Sequence, residues 1–410
     1  MSTRRQFLTK TAASFIAGAS LDAVHSAIGS SVAAKPKKGS EPHAVLRLAI
    51  IGTGQISHRY LKQAGAGKRA RFVATCARHL ESAKARALEY GVDAWFDNYE
   101  TMYEQVTPDA VVVATPNSLH AAPTIAALER GIHVLCEKPM ATTWSDCRAM
   151  AEAARRSSAL LLCLPYDAVP AYITALGYLN EYTLGVFTGA EAQLLESGSE
   201  PDSWSYDRKI DGGEMLDSMI YPVSRLIGFL GPAARVTGFV NTLIPHRIIS
   251  GSKIVESTID DNVSLILEWE TGQHAILRTL CGTSMDRNDS AIYGRHGTLW
   301  LSGNDLVIQS TLRTIPGSTP TTWDGIPGCY RISTQELRDI SEEGLIDHFV
   351  DCILGSKTPT CGWQQQLHVN EILFKGYEAA SSGRAQRLET TFVPWHHVDP
   401  AFYDTHTRPV

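Results

Sequence analysis

No apolar run in the 410 residues approaches the roughly 20 needed to cross a bilayer. No stable membrane span is therefore expected. The chain also lacks a basic block: 37 Lys and Arg against 43 Asp and Glu leave a net charge of −6. That balance argues against nucleic acid as a partner. The eight cysteines include no C-x-x-C pair and no dense spacing, so neither a zinc site nor a disulfide scaffold is implied, and no metal is expected. Cys76, Cys136 and Cys163 sit in apolar runs and read as small core residues. What remains is an ordinary globular composition, 44 % apolar and 20 % charged, at a length that suggests about two domains plus extras.

The amino terminus differs in kind. Thr3-Arg4-Arg5-Gln6-Phe7-Leu8, then Lys10 and a small-residue apolar run to Ile28, looks like a twin-arginine export signal. Residues 1–34 are assigned to it and 35–43 to a solvated linker, which predicts a periplasmic or otherwise exported protein. Asp22 and His25 inside the run leave a basic N-terminal arm as the alternative.

The strongest local signal is V-L-R-L-A-I-I-G-T-G-Q over residues 45–55. A short apolar run meets Gly52 and Gly54, and Ile56, Tyr60, Leu61 and Ala64 then recur at helical spacing. Such a strand, turn and helix start brings backbone N–H groups and a positive helix end up to a phosphate. Ser57 takes the third glycine position, so the motif alone also fits any tight strand-to-helix turn. The segments that follow alternate. Strands are expected over 71–76, 109–115, 133–136 and 160–164, and helices over 80–90, from Ser118 as cap to Gly131, and over 143–157. This is the pattern of an α/β protein with a parallel sheet and crossover helices.

At the end of the second strand an acidic residue would accept the ribose 2′-hydroxyl of NAD, and an arginine the 2′-phosphate of NADP. The chain reads Cys76-Ala77-Arg78-His79, with no carboxylate before Glu81. NADP is the expected cofactor, with Arg78 on its phosphate and NAD as the alternative.

I-G-T-G-Q-I (51–56), A-T-P-N-S-L-H (114–120) and C-E-K-P-M-A-T-T (136–143) follow in order on these elements. Together they resemble the Gfo/Idh/MocA family, which includes glucose–fructose oxidoreductase and inositol dehydrogenase. The resemblance implies an N-terminal Rossmann dinucleotide-binding domain, 44–164, and a C-terminal α+β domain, 165–394, with an open, mostly antiparallel sheet. Residues 395–410 form a tail. It implies a cofactor site lined by Gly52, Gly54, Gln55, Ile56, Thr115, Pro116, Asn117, His120 and Glu137, with Lys138 reaching the reacting carbon across a cis Lys138–Pro139 bond. It further implies a homo-oligomer joined through the second domain's sheet.

In the second half, a helix over 169–183 leads into strands over 186–195, 234–243, 262–269, 274–280, 290–293, 298–302 and 305–309. Helices over 344–354 and 365–381 close the chain. The chemistry gathers in D-G-G-E-M-L-D-S-M-I-Y, residues 211–221. Asp217 and Tyr221 are one helical turn apart, a spacing that aims both from one helix face. By resemblance Asp217 matches the family's aspartate, and Tyr221 replaces its histidine, as in the glucose–fructose oxidoreductase and dihydrodiol dehydrogenase branches. Met219 and Ser224 depart from the family pattern, which sets the chain apart from inositol dehydrogenases.

A tyrosine with an ordinary pKa of about 10 needs a nearby cation to act as a base. Tyr221 is thus expected as acid/base, Lys138 as its electrostatic partner and Asp217 as positioner. Tyr166, Asp167, Trp204 and Tyr206 are the candidates for holding a sugar or polyol. Asp167 falls where many relatives carry a basic residue, which disfavours an anionic substrate. An exported enzyme would carry its cofactor folded within it, which favours ping-pong turnover of two substrates. The alternatives are a redox-neutral glycosidase-like enzyme and a non-catalytic cofactor-binding sensor.

Overall fold

A computed structural model describes residues 45–66, 69–165, 170–179, 184–198, 203–249, 253–303, 305–310, 319–323, 326–332, 344–360 and 362–395. The expected export signal and linker of 1–43, the residues 396–410 of the tail, and Tyr166 and Asp167 lie outside them.

The first sheet is wholly parallel. β1 (Leu46–Ile51), β2 (Ala70–Cys76), β3 (Ala94–Phe96), β4 (Ala110–Val113), β5 (His133–Cys136) and β6 (Leu161–Cys163) stand in the order β3-β2-β1-β4-β5-β6. That is the doubly wound dinucleotide-binding order, whose ligand crevice opens where the order reverses, between β1 and β4. β4 is buried along its whole length, as its A-V-V-V run requires of a strand covered on both faces. The crossovers are α1 (Ser57–Ala66), α2 (Leu80–Tyr90), α3 (Tyr99–Val106), α4 (Ala121–Glu129) and α5 (Trp144–Arg156). Thr143 caps α5 by accepting the Asp146 N–H at 3.2 Å. Ser118 does not cap α4. It lies in a 3₁₀ turn, Asn117–Leu119, and His120 holds the capping position without a side-chain bond.

The chain leaves this sheet through α6 (Pro170–Tyr178), ending at Tyr178 where the apolar pattern suggested continuation to 183. Among the described residues the second sheet has ten strands. β7 (Phe187–Glu196), β8 (Arg235–Asn241), β11 (Asn262–Glu268), β12 (His274–Cys281), β13 (Arg287–Gly294), β14 (Gly297–Ser302), β15 (Asp305–Ser310), β16 (Thr319–Trp323), β17 (Ile326–Ile332) and β18 (Gln386–Arg387) pair in the order β16-β17-β15-β14-β13-β7-β12-β11-β8-β18. β7 and β12 run parallel and the other neighbours antiparallel. A separate hairpin pairs β9 (His246–Ile249) with β10 (Lys253–Glu256).

The inner face of this sheet carries Val263, Leu265, Leu267, Ala275 and Leu277 into the largest core. There they meet Val223, Leu226 and Ile227 of α8 (Ile220–Leu230), which follows a four-residue helix α7 (Glu214–Asp217). The outer face is bare: register puts Ile266, Ile276 and Trp300 in one cross-strand row, with Phe239 beside it at 75 % exposure.

The domains interlock. α9 (Leu345–Ile353) comes late in the chain yet buries Leu345, Ile346, Phe349 and Val350 in the first domain's core, so the span 165–394 is not wholly a second domain. α10 (Trp363–Ser382) lays Trp363, Leu367 and Phe374 on the first domain and Val369, Ile372 and Leu373 in the second.

Candidate active site

A cavity of about 1430 Å³ opens at the β1/β4 crevice and continues to the second sheet. Its floor is the turn after β1. Gly52 has φ +99°, and a Cβ there would lie 2.1 Å from the Ala114 carbonyl oxygen, so only glycine fits. Gly54 differs: a Cβ on it would meet nothing within 4 Å and would project into open space where a cofactor must approach. Ser57, the departure from the glycine fingerprint, is buried and donates from Oγ to the Gly54 carbonyl at 2.6 Å, closing the turn. Arg86 adds a bond the sequence did not reveal, donating to the Thr53 carbonyl at 2.9 Å. Gln55 and Ile56 line the cavity, and the first turn of α1 carries no acidic residue. A dinucleotide's diphosphate fits this cradle.

At the far end Arg78, exposed at the close of β2, lines the cavity with His79 and Ser82. A carboxylate is present after all: Asp97, just past β3, lines the same end. It was hidden because β3 is three residues long and Asp97 is distant in sequence from the glycines.

Thr115, Pro116 and Asn117 line the middle. Asn117 does more than face a ligand. Its amide donates to the Asp211 carbonyl at 2.8 Å, and Ser118 N–H to the Ile210 carbonyl at 3.0 Å, clasping the two domains. His120 is fully buried and stands outside the lining of the cavity. Its two ring nitrogens face the carbonyls of Pro139 (2.8 Å) and Thr115 (3.0 Å), which only accept, so both carry protons. Burial opposes that charge. The adjoining Cys136 and the two carbonyls outweigh it, pushing the pKa up to about 9.

The reacting end gathers the three expected catalytic side chains. β5 ends at Cys136, Glu137 takes the Tyr60 hydroxyl and accepts Lys138 N–H at 3.1 Å, and the Lys138–Pro139 bond is cis. Lys138 Nζ then lies 2.5 Å from Asp217 Oδ1, 3.0 Å from the Asp217 carbonyl and 5.3 Å from the Tyr221 ring centre. Burial works against the ammonium, but Asp217 and then Tyr221 more than compensate, and its pKa stands above the ordinary lysine value. Burial pushes the Tyr221 phenol up, against the pull of Lys138. The resting set is therefore a protonated tyrosine beside a locked ammonium.

Asp217 and Tyr221 do not share one helix. Pro222 has no N–H and its ring excludes the carbonyl of Ser218, so the helix breaks at Ser218–Met219 and restarts as α8. Both side chains reach the cavity from the two sides of that break. Gly213, at φ +86°, lets the chain enter α7, where a Cβ would lie 2.4 Å from Asp260 Oδ1. Asp260 accepts Met215 N–H at 2.7 Å and the Tyr377 hydroxyl at 2.6 Å, fixing α7 from below. Sequence reading missed it, because no motif marks a capping aspartate 45 residues away.

Trp204 and Tyr206 line the cavity from a 3₁₀ turn, Ser203–Tyr206. Tyr206 is 1 % exposed, packs with Ile249, Ile259 and Cys281, and donates to the Gly198 carbonyl at 2.5 Å. Its ring is mainly wall. The cavity also takes Glu196, Glu214, Ser218 and Asn288, none of which the sequence singled out. Arg225, on the buried side of α8, donates to Asn288 Oδ1 at 2.9 Å and so orients it.

Two family models match the chain. The Gfo/Idh/MocA oxidoreductase model, with its NAD-binding Rossmann fold, covers residues 46–163, and the Gfo/Idh/MocA C-terminal domain covers 172–300. A D-glucoside 3-dehydrogenase of Escherichia coli is 37 % identical over 271 residues, 64 % of this chain and 71 % of that protein. A levoglucosan dehydrogenase of Pseudarthrobacter phenanthrenivorans is 26 % identical over 53 % of this chain and 60 % of its own length. A solved levoglucosan dehydrogenase in complex with NADH shares the fold, with TM-score 0.72 at 18 % identity over 85 % of this chain and 100 % of that one.

Proposed function

The chain belongs to the Gfo/Idh/MocA oxidoreductase family, and from that premise we propose that it moves hydride between a nicotinamide and a ring hydroxyl of a sugar or polyol. The observation that carries this reading is the Lys138–Asp217 pair at 2.5 Å, beside Tyr221, in one cavity with Gly52 and Gly54. A sensor has no need of such a set.

A bound nicotinamide supplies the acceptor for the hydride and its electron pair. The residues handle the proton. On oxidation of a carbinol, Tyr221 in its deprotonated form takes the hydroxyl proton while Lys138 donates a hydrogen bond to the oxygen becoming a carbonyl. Asp217 holds the lysine in place. On reduction, Tyr221 returns the proton. A phenol pushed up by burial is loaded for that direction at neutral pH.

NADP is the proposed cofactor, supported by Arg78 with His79 and Ser82 at the far end of the cavity. Export by the twin-arginine route is proposed from Arg4-Arg5 and the run that follows. The protein then travels with its cofactor and regenerates it in ping-pong turnover. A homo-oligomer through the bare sheet face is proposed from the exposed row Ile266, Ile276 and Trp300. The test of the reaction is Lys138→Ala: nicotinamide binding is retained and turnover lost. Unchanged turnover overturns the assignment.

A further inference from the structure

The half of the cavity lent by the second domain is acidic. Glu196, at the end of β7, and Glu214, at the start of α7, both line it, with Ser218 between them. Ser218 Oγ donates to Glu196 Oε2 at 2.9 Å. Glu214 is 3 % exposed, and its Oε1 is buried with no hydrogen-bond partner among the described residues. A buried polar atom in that state wants a ligand. The nearby cations are committed elsewhere: Lys138 to Asp217, and the half-exposed Arg287 to Asp289 at 2.7 Å. Among the described residues no cluster is placed to hold a metal ion.

We propose that Glu196 and Glu214 are a substrate-recognition pair, which holds adjacent hydroxyls of an uncharged sugar and turns away sugars bearing a carboxylate or phosphate. This rests on the cavity being the sugar-oxidising site. The physical reason lies in the unequal surroundings of the two groups. Two neighbouring carboxyls resist ionising together. Burial, then the charges of Glu196 and Asp217, push Glu214 well above the carboxylate range, so it keeps its proton. Glu214 thus donates and Glu196 accepts. A pair of adjacent hydroxyls offers the matching acceptor and donor. An anionic group would instead meet Glu196 and Asp217, with no uncommitted cation among the described residues lining that half to receive it.

The experiment compares a methyl glucoside with the matching methyl glucuronide, using NADP and the full chain. The native enzyme should favour the neutral glycoside by about a hundredfold in kcat/KM. Glu196→Gln should raise KM for it about tenfold and narrow the discrimination by at least about tenfold, with NADPH binding unchanged. Glu214→Gln, which keeps a donor, should hold KM within about threefold, whereas Glu214→Ala should resemble Glu196→Gln. NADPH binding by each variant confirms that it is folded. Equal use of both glycosides by the native enzyme, or unchanged discrimination in Glu196→Gln, overturns the proposal. If no glycoside is oxidised although NADPH binds, the reaction assignment fails, and calorimetric binding of the same two glycosides then tests the pair directly. Selective binding of the neutral one upholds it, and equal or absent binding overturns it.

Discussion

Lys138 Nζ and Asp217 Oδ1 stand 2.5 Å apart, and the two residues come from different domains. The ammonium is 18 % exposed, the carboxylate 36 %. The same contact joins the domains and, in the proposed reaction, holds the lysine for the chemistry. Asp217→Asn should therefore lower kcat by about a hundredfold or more, the scale of a lost acid/base arrangement. Nicotinamide affinity should stay near native, because the glycine turn is untouched. Steady-state kinetics beside a fluorescence titration of NADPH checks both.

The direction of the Tyr221 shift predicts opposite pH profiles for the two reactions. Burial holds the phenol protonated above its usual range. Oxidation needs the deprotonated form, so its rate should climb steadily on the alkaline side. Reduction needs the protonated form and should be flat through neutrality. Tyr221→Phe should depress both and remove the alkaline climb.

Two neighbouring glycines should answer differently to alanine. At Gly52 the new Cβ strikes the Ala114 carbonyl at 2.1 Å in a positive-φ turn, so Gly52→Ala should lower Tm. At Gly54 it meets no protein atom, so Gly54→Ala should keep Tm and weaken NADPH binding by about tenfold or more. Thermal melts and binding titrations on both variants separate the two effects.

The proposed preference for NADP rests on Arg78. Arg78→Ala should weaken NADP binding by about tenfold to a hundredfold, the scale of one charge-assisted contact, and leave NAD binding nearly unchanged. Equal losses for both cofactors contradict it.

Acid stability should report two buried histidines. Burial lowers His348 and His368 to about 4. The unfolded chain binds their protons near the ordinary value of about 6.5, so stability is present above that pH and falls as pH drops towards 4. In His368, Nε2 accepts the Ala233 N–H at 3.1 Å. His368→Gln should flatten that part of the acid limb in chemical denaturation measured across pH.

The parallel sheet was legible because β4 and β5 are continuous apolar runs and the glycine turn has one geometry. That Lys138, Asp217 and Tyr221 would meet was legible through their motifs. The helix break between Asp217 and Tyr221 was written in Pro222, yet a one-turn spacing reads equally well without it. β3 is too short to show a period, and among the described residues β9 and β10 pair only with each other. Glu214 could not be seen, because what marks it is a buried oxygen with no hydrogen-bond partner among the described residues. That property exists only after β7 and α7 are brought together.

The central claim is that Lys138, Asp217 and Tyr221 serve hydride exchange between a nicotinamide and a sugar. Its most direct measurement is the nicotinamide absorbance of the purified protein with NADP while a methyl glucoside is added, run beside Lys138→Ala. The reduced-nicotinamide band should grow in the native protein and stay absent in the variant, which still binds NADPH. Growth of the band in both, or in neither when glycoside and cofactor are shown to bind, would contradict the claim.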